Sequence, residues 1–362
     1  MGLKVGIIGL PNSGKTTIFN CFSDTKAQTS FGFANKANYG TAKVPDERLY
    51  ELAKLQPTEK IIHTTIEFVD IPGLRRGAQN NSTFLNEVRN VDALIHVVRC
   101  FDNPNVPHED GSIDPVRDIE NLNIELQQRD LESIDKRLQK IEKKAKFGDK
   151  SLAAQVETLK KAKEHLENLQ NLRTLELKPH EREILSELFL LTTKPVLYIA
   201  NVDDDAAATG NKYSQQVIDW VAQNDPNAKV LVIAAQLEAE IAELEPDDRE
   251  EFLKDAGLSE PSVNKLIRTA YDMLNLLTFF TVGPKEIRAW TVKKGATAPD
   301  AAGVIHSDLK KGFIRAEVIH YDDFIKYGSE AEVKKAGKFY LEGKDYVVQE
   351  GDILHIRFNV SK

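Results

Sequence analysis

Three observations predict an α/β fold with a mostly parallel sheet, an inserted helical hairpin and a small β-rich module at the C-terminal end. Gly9-Leu10-Pro11-Asn12-Ser13-Gly14-Lys15-Thr16 follows directly on the apolar run Val5 to Ile8. Apolar strand-like runs then alternate with helical segments through the first hundred residues, the pattern of a parallel sheet covered by helices on both faces. Between Leu131 and Leu169, apolar residues recur at intervals of three and four, the period of two long paired helices.

The glycine-rich octet is a complete phosphate-binding loop placed between a strand and a helix, as its geometry requires. Gly9 and Gly14 let the backbone curl so that successive N–H groups point inward at an anion, at a helix N-terminus whose dipole favours negative charge. Asn12, Ser13 and Gly14 line that curl, and Lys15 bridges the outer phosphates. Thr16 supplies a hydroxyl for Mg2+, an ion that keeps most of its water shell and needs few protein ligands. Thr17 continues into the helix Thr16-Thr17-Ile18-Phe19. The loop predicts a P-loop NTPase that binds a nucleoside triphosphate.

At 362 residues the chain exceeds what one core usually serves, so more than one domain is expected. Its 48 basic and 56 acidic residues leave a formal charge of −8, which argues against wholesale coating of nucleic acid but not against a local basic element. Cys21 and Cys100 are too few for a disulfide framework and read as reduced structural thiols. The first residues enter a strand without a basic leader or cleavage site, and no apolar run approaches the ~20 residues that cross a bilayer. A cytoplasmic protein without membrane contact is the expectation.

Ser30 to Thr41, rich in Gly, Ala and Asn, reads as a mobile stretch, followed by a helix over Pro45 to Leu55. Thr64 to Asp70 is a β-rich strand ending on a carboxylate and broken by Ile71-Pro72-Gly73; Ala93 to Val98 is a buried strand. The pattern then changes to two helices, with Leu131, Ile134, Leu138, Ile141 and Ala145 on one and Leu152, Val156, Leu159, Ala162, Leu166 and Leu169 on the other. They pair most simply as an antiparallel coiled-coil hairpin.

Residues 125 to 175 carry 12 Lys or Arg against 9 Asp or Glu, with Lys136, Arg137, Lys140, Lys143, Lys144, Lys146 and Lys150 near the tip. Two readings stand there: a solvated, ion-paired face, or a contact with RNA or the ribosome. Strands resume at Pro195 to Ala200 and Lys229 to Ala235, so the hairpin is an insertion. After Tyr271 come runs at 279–282, 287–292, 313–319, 345–349 and 353–358, with one helix after Pro299. The expected divisions are 1–120 and 191–278 for the nucleotide domain, 121–190 for the arm and 279–362 for the last module.

The residues after the loop narrow the chemistry. Asp70, ending a buried strand, suits the metal shell, and the Gly73 backbone N–H suits the terminal phosphate. Asn201-Val202-Asp203-Asp204 follows a third apolar strand: Asn201 braces the phosphate loop, Val202 packs on the base, and Asp204 stands where a guanine-selective site puts its acid. Val202 occupies a place that guanine-specific boxes give to Lys. An acidic surface loop is the competing reading of this box.

The order of these motifs, the hairpin and the final module resemble the YchF family, the Obg-like ATPases, across nearly the whole chain. The likeness rests on His96-Val97-Val98-Arg99-Cys100-Phe101, Asp118-Ile119-Glu120, Tyr198 to Val202, Glu238 to Leu244, Arg288-Ala289-Trp290-Thr291, Gly295 to Pro299, Gly312 to Ala316 and Glu342 to Tyr346. It implies an ATPase that also accepts GTP and acts near the ribosome, with a C-terminal TGS domain of ubiquitin-like (β-grasp) fold and a basic arm. It implies phosphate contacts from Asn12 to Thr17, magnesium at Thr16 and the base against Val202. The family's usual Glu is replaced by Asp204, which reopens ATP against GTP, and its switch threonine, a metal ligand, is replaced by Asn35. Asn12 resembles the Asn that helps seat K+ in cation-dependent relatives; packing of the loop explains it equally.

Related GTPases often place a water-orienting Gln after the switch glycine, where this chain has Leu74. Slow intrinsic turnover with partner stimulation follows as an expectation. His108 matches a loop histidine of the family that would position water, against the plainer reading of a solvated loop residue. Two further readings stay open: a GTP-preferring enzyme, and an RNA- or ribosome-binding adaptor whose hydrolysis is incidental. A metabolic kinase is disfavoured, since nothing in this motif order forms a phosphoacceptor pocket.

Overall fold

The computed structural model describes residues 3–24, 26–27, 36–74, 82–145 and 150–359. Among these, the strands in chain order are β1 (Lys4–Ile8), β2 (Asn38–Lys43), β3 (Ile61–Ile62), β4 (Thr65–Asp70), β5 (Ala93–Cys100) and β6 (Val196–Val202), then β7 (Lys229–Ile233), β8 (Leu276–Val282), β9 (Ile287–Lys293), β10 (Phe313–Ile319), β11 (Tyr340–Glu342) and β12 (Ile353–Phe358). The chain divides into two compact units, Met1–Ala42 with Glu67–Leu266 and Lys43–Ile66 with Ile267–Lys362.

In the first unit the sheet order is β2-β4-β1-β5-β6-β7, with the β4-β1, β1-β5, β5-β6 and β6-β7 pairs all parallel. The inner strands read as continuous apolar runs because helices cover both faces, and all eight residues of β5 are buried. The register sets Ile7 beside Asp70 and Arg99 beside Asn201. The phosphate loop, Asp70 and Asn201 therefore meet at the carboxyl ends of neighbouring strands, where open α/β sheets bind their ligands.

The long helix Pro115–Ala145 starts as its sequence dictates: Pro115 takes the first turn, and Asp114 Oδ1 accepts from Arg117 N at 3.1 Å. Ile119, Leu122 and Leu126 pack in the sheet core, so this helix is rooted upstream of the boundary expected at residue 121. Its later part pairs with helix Lys150–Glu167 through Ile134, Leu138, Ile141, Leu159, Ala162 and Leu166. Lys163–Asp135 and Lys160–Glu142, both 2.7 Å, run in opposite chain order and fix the antiparallel hairpin. Leu169 leaves the predicted stripe: it lies past the helix end at φ 58° and is exposed, because the chain has already turned.

Buried polar groups hold the arm's base. Asp130 accepts from Leu191 N, Thr192 N and Thr192 Oγ1 at 2.7–2.8 Å. Arg173, just past the second helix, donates to Asp225 Oδ2 at 2.6 Å and to the Tyr198 hydroxyl at 2.9 Å.

The second unit has sheet order β11-β10-β12-β8-β9-β3, in which β12 runs parallel to β8 and the β8-β9, β10-β12 and β10-β11 pairs are antiparallel. Helix Ala298–Ile305 begins at a capping box, Thr297 with Asp300, and buries Ala298, Ala301 and Ala302 against Phe279, Val292 and Ala316. Hairpin, crossing helix and a last strand parallel to the first give the expected β-grasp arrangement.

Three expectations are corrected in this unit. Residues 43–66, assigned from sequence to 1–120, belong here: Leu49 and Leu52 share a core with Phe280, Ile319 and Ile353, and β3 pairs with β9. Instead of one helix after Pro299 there are four short ones, 298–305, 307–311, 321–327 and 330–335. The strand expected at 345–349 is a loop with one isolated bridge, Val347 to Thr297, because the buried Asp352 carboxylate draws in Gln349 N and the Tyr346 hydroxyl; β11 supplies the edge strand instead.

Candidate nucleotide-binding site

The loop after β1 has the backbone that its glycines permit. Gly9 and Gly14 sit at φ 152° and 98°, and Asn12 at 60°. A methyl at Gly14 would lie 2.2 Å from Asn201 Nδ2, and one at Gly9 would lie 2.4 Å from Val97 O, so both positions must be glycine. Asn201, at the end of β6, donates to Ser13 O at 2.9 Å and accepts from Ala235 N at 3.0 Å, bracing the loop as its sequence position predicts. Ser13 Oγ is buried inside the curl without a hydrogen-bond partner among the described residues.

Lys15 is buried, with Nζ 2.8 Å from Leu10 O and 3.2 Å from the point where a Gly73 Cβ would lie. The ammonium and the glycine expected to meet the terminal phosphate are thus side by side. Burial lowers the Lys15 pKa to about 8, against the opposing pull of Asp70 and then Glu109. Leu74 is turned into the core, where an apolar side chain cannot reach a water.

Asp70 Oδ2 accepts from Thr16 Oγ1 at 2.8 Å and from Asn38 Nδ2 at 3.1 Å. Its Oδ1 is buried with no partner among the described residues, and burial raises the carboxyl's pKa. An orphaned carboxylate oxygen beside a hydroxyl is a donor set that fits a hard divalent cation. Asn38 was not foreseen from sequence; its only signal is an amide at the first position of a strand beside β4. Asn35 lies outside the described residues.

At the base end, Asp204 is exposed, with Oδ1 accepting from Leu237 N at 3.1 Å. Val202 instead faces the core of the unit and is 3 % exposed, which leaves its side chain almost no surface on which a ring could rest. The strand pleat decides this: Asn201 and Val202 point to opposite faces, and Asn201 takes the face of the phosphate loop.

The loop carrying His108 adjoins the phosphate loop. Asn12 Nδ2 donates to Pro107 O at 3.1 Å. Arg99, buried at the end of β5, donates to Phe101 O, Asn103 O and Pro107 O, each at 3.3 Å, and lies 4.5 Å from the Phe101 ring centre. His108 itself is turned to Asp118, with Nε2 2.9 Å from Oδ2.

Comparison with known proteins adds to this geometry. Residues 4–147 match the family described as 50S ribosome-binding GTPase, and residues 276–359 match the YchF GTPase C-terminal family, described as of unknown function. The ribosome-binding ATPase YchF of Pasteurella multocida is 46 % identical over 366 residues, covering 99 % of this chain and 100 % of that protein. Its namesake from Bacillus subtilis is 43 % identical over 368 residues, with the same coverage. The chain belongs to the YchF family. The YchF GTPase structure from Schizosaccharomyces pombe superposes with a TM-score of 0.87 at 32 % identity, over 98 % of both chains. That structure therefore shares the fold described here over nearly its whole length. Among the described residues no helix is long and apolar enough to cross a membrane.

Proposed function

We propose that the protein is a ribosome-associated nucleotide switch that hydrolyses ATP, and also GTP, to the diphosphate with Mg2+. The observation that carries this reading is the buried Lys15 ammonium beside Gly73, one strand from an Asp70 carboxylate with an unfilled oxygen. Lys15 and the loop amides from Asn12 to Thr17 bind the phosphates. Thr16 and Asp70 would hold Mg2+, which when bound neutralises charge on the outer phosphates. Asn38 orients Asp70, and Asn201 keeps the loop curled. The base meets Asp204 at the β6 end, and K+ would be seated by Asn12.

His108 orients the attacking water, since Leu74 has no polar atom to do so. With no Gln in that place, turnover is slow alone and rises with a partner. The names of the relatives give the ribosome as that partner. On this chain Lys136, Lys140 and Lys144 support it: they are exposed along one helix face at intervals of four, and among the described residues they make no ion pair. A cytoplasmic setting follows from that partner.

The test is single-turnover hydrolysis of ATP and of GTP with Mg2+, with and without ribosomes. Faster hydrolysis on ribosomes supports the switch. Ribosome binding with unchanged hydrolysis would replace it by the adaptor reading. Asp204→Glu in the same assay reports whether this acid sets the ratio of ATP to GTP.

A further inference from the structure

Both ring nitrogens of His108 are already committed. Nδ1 accepts from Asp110 N at 3.1 Å, so Nε2 carries the proton and donates to Asp118 Oδ2 at 2.9 Å. The two side chains are only 8 % and 5 % exposed. Asp118 Oδ1 is taken by Arg117 Nη2 at 3.3 Å, and Arg117 also reaches Asp110 Oδ2 at 3.3 Å and Ser112 O at 2.7 Å. His108, Asp110 and Asp118 place ligand atoms within 4.8 Å of one another, but the guanidinium already occupies the place of a cation between the two carboxylates.

We propose that this network is a latch on hydrolysis: Asp118 holds the His108 imidazole away from the water, and turnover requires that bond to open. The proposal rests on His108 being the water-orienting group. A neutral imidazole that accepts at one nitrogen and donates at the other has nothing left to offer a water. One nitrogen must be freed first.

The two sides of the latch are held differently. Asp118 sits in the first turn of helix Pro115–Ala145, next to Ile119 and Leu122 in the sheet core, and cannot shift without disturbing that packing. The His108 loop is held by hydrogen bonds to its carbonyls. Pro107 O, adjacent to His108, is shared by Arg99 and by Asn12 of the phosphate loop. Movement of Asn12 onto a bound phosphate or cation therefore removes one of two donors from the residue beside the histidine. Arg99 and Asp118 are positioning residues in this scheme, one for the loop and one for the ring.

The experiment uses the full chain and compares wild type, Asp118→Ala, the isosteric Asp118→Asn, His108→Ala and the Asp118→Ala/His108→Ala double variant. Losing one charge-assisted hydrogen bond should raise basal kcat for MgATP on the order of tenfold in Asp118→Ala with KM unchanged. Ribosome stimulation should shrink by the same factor, because the bond to be opened is already gone. Asp118→Asn, still an acceptor but uncharged, should fall between, and the double variant should return to the His108→Ala rate. Unchanged or lower basal turnover in an Asp118→Ala protein that binds MgATP normally would overturn the latch.

Nitrogen-15 NMR of His108 gives a readout that does not depend on activity. The latch requires the Nε2–H tautomer in wild type and, in Asp118→Ala, a shifted Nε2 resonance as that N–H loses its carboxylate acceptor; an Nδ1–H tautomer in wild type would overturn it. If His108→Ala proved as fast as wild type on ribosomes, the water-orienting role would fall while the tautomer still reported on the Asp118 bond.

Discussion

Asp70 and Asp130 are buried to nearly the same depth, 3 % and 2 % exposed, and burial raises the pKa of both. What meets their oxygens differs. Asp130 has both oxygens filled by Leu191 N, Thr192 N and Thr192 Oγ1 and holds the arm's base to the chain that returns to the sheet. Asp70 shares one oxygen between Thr16 and Asn38 and, among the described residues, leaves the other bare. A buried carboxylate with all its acceptors satisfied is a structural joint, and one with an open acceptor is reserved for a ligand. The same contrast separates Arg173, paired to Asp225 and Tyr198, from Lys15, whose ammonium among the described residues donates only to the backbone carbonyl of Leu10.

The largest expected effect breaks the comparison on the functional side. Asp70→Asn should cut Mg2+-dependent hydrolysis on the order of a thousandfold, ~4 kcal/mol of barrier, and leave the melting temperature equal or higher. A stability loss as large as the activity loss would mean that Asp70 is a joint after all. Asp130→Ala should do the reverse. With three donors stranded in the interior it should lose about 3 kcal/mol in denaturant titration, while MgATP affinity at low temperature stays as in wild type.

Acid sharpens the contrast on the structural side. Burial, then the charge of Arg173, lowers the pKa of His96 to about 3 from its usual 6.5. Between those values the unfolded chain binds a proton that the folded chain refuses, so stability falls as pH drops below 6.5, by about 2 kcal/mol at pH 5. His96→Gln should flatten that limb of the stability profile.

Lys15 gives the smallest stability effect. Its folded pKa of about 8 lies below the usual 10.5, so the unfolded chain holds more protons between those values and stability rises with pH across that window. Lys15→Met should gain about 1 kcal/mol at pH 7 by removing the buried charge. It should also abolish triphosphate uptake in calorimetry. In wild type, binding should draw in protons near pH 8, read from heats in buffers of different ionisation enthalpy, and affinity should weaken above it.

Much of the nucleotide site was legible because its chemistry is written in consecutive residues or at strand ends. The run from Gly9 to Thr16 sits between a strand and a helix, and Asp70 and Asn201 close β4 and β6. The arm was legible from its repeat until Leu169, where the helix had already ended. Asn38, the Arg99 clamp and the engagement of His108 were not, since each joins segments distant in the chain through hydrogen bonds that leave no periodicity. The loop at 345–349 escaped for a similar reason: Asp352 redirects a segment whose own residues favour a strand.

From its order of residues alone the chain determined which groups can curl around phosphate, which stripes must be buried and where helices start, because backbone conformation and amphipathic period are local properties. Only the folded structure decided that residues 43–66 build the second unit, that Val202 faces inward, and that His108 is bound to Asp118. Those outcomes depend on which distant surfaces and dipoles meet, and that is settled by packing and by the satisfaction of buried polar groups.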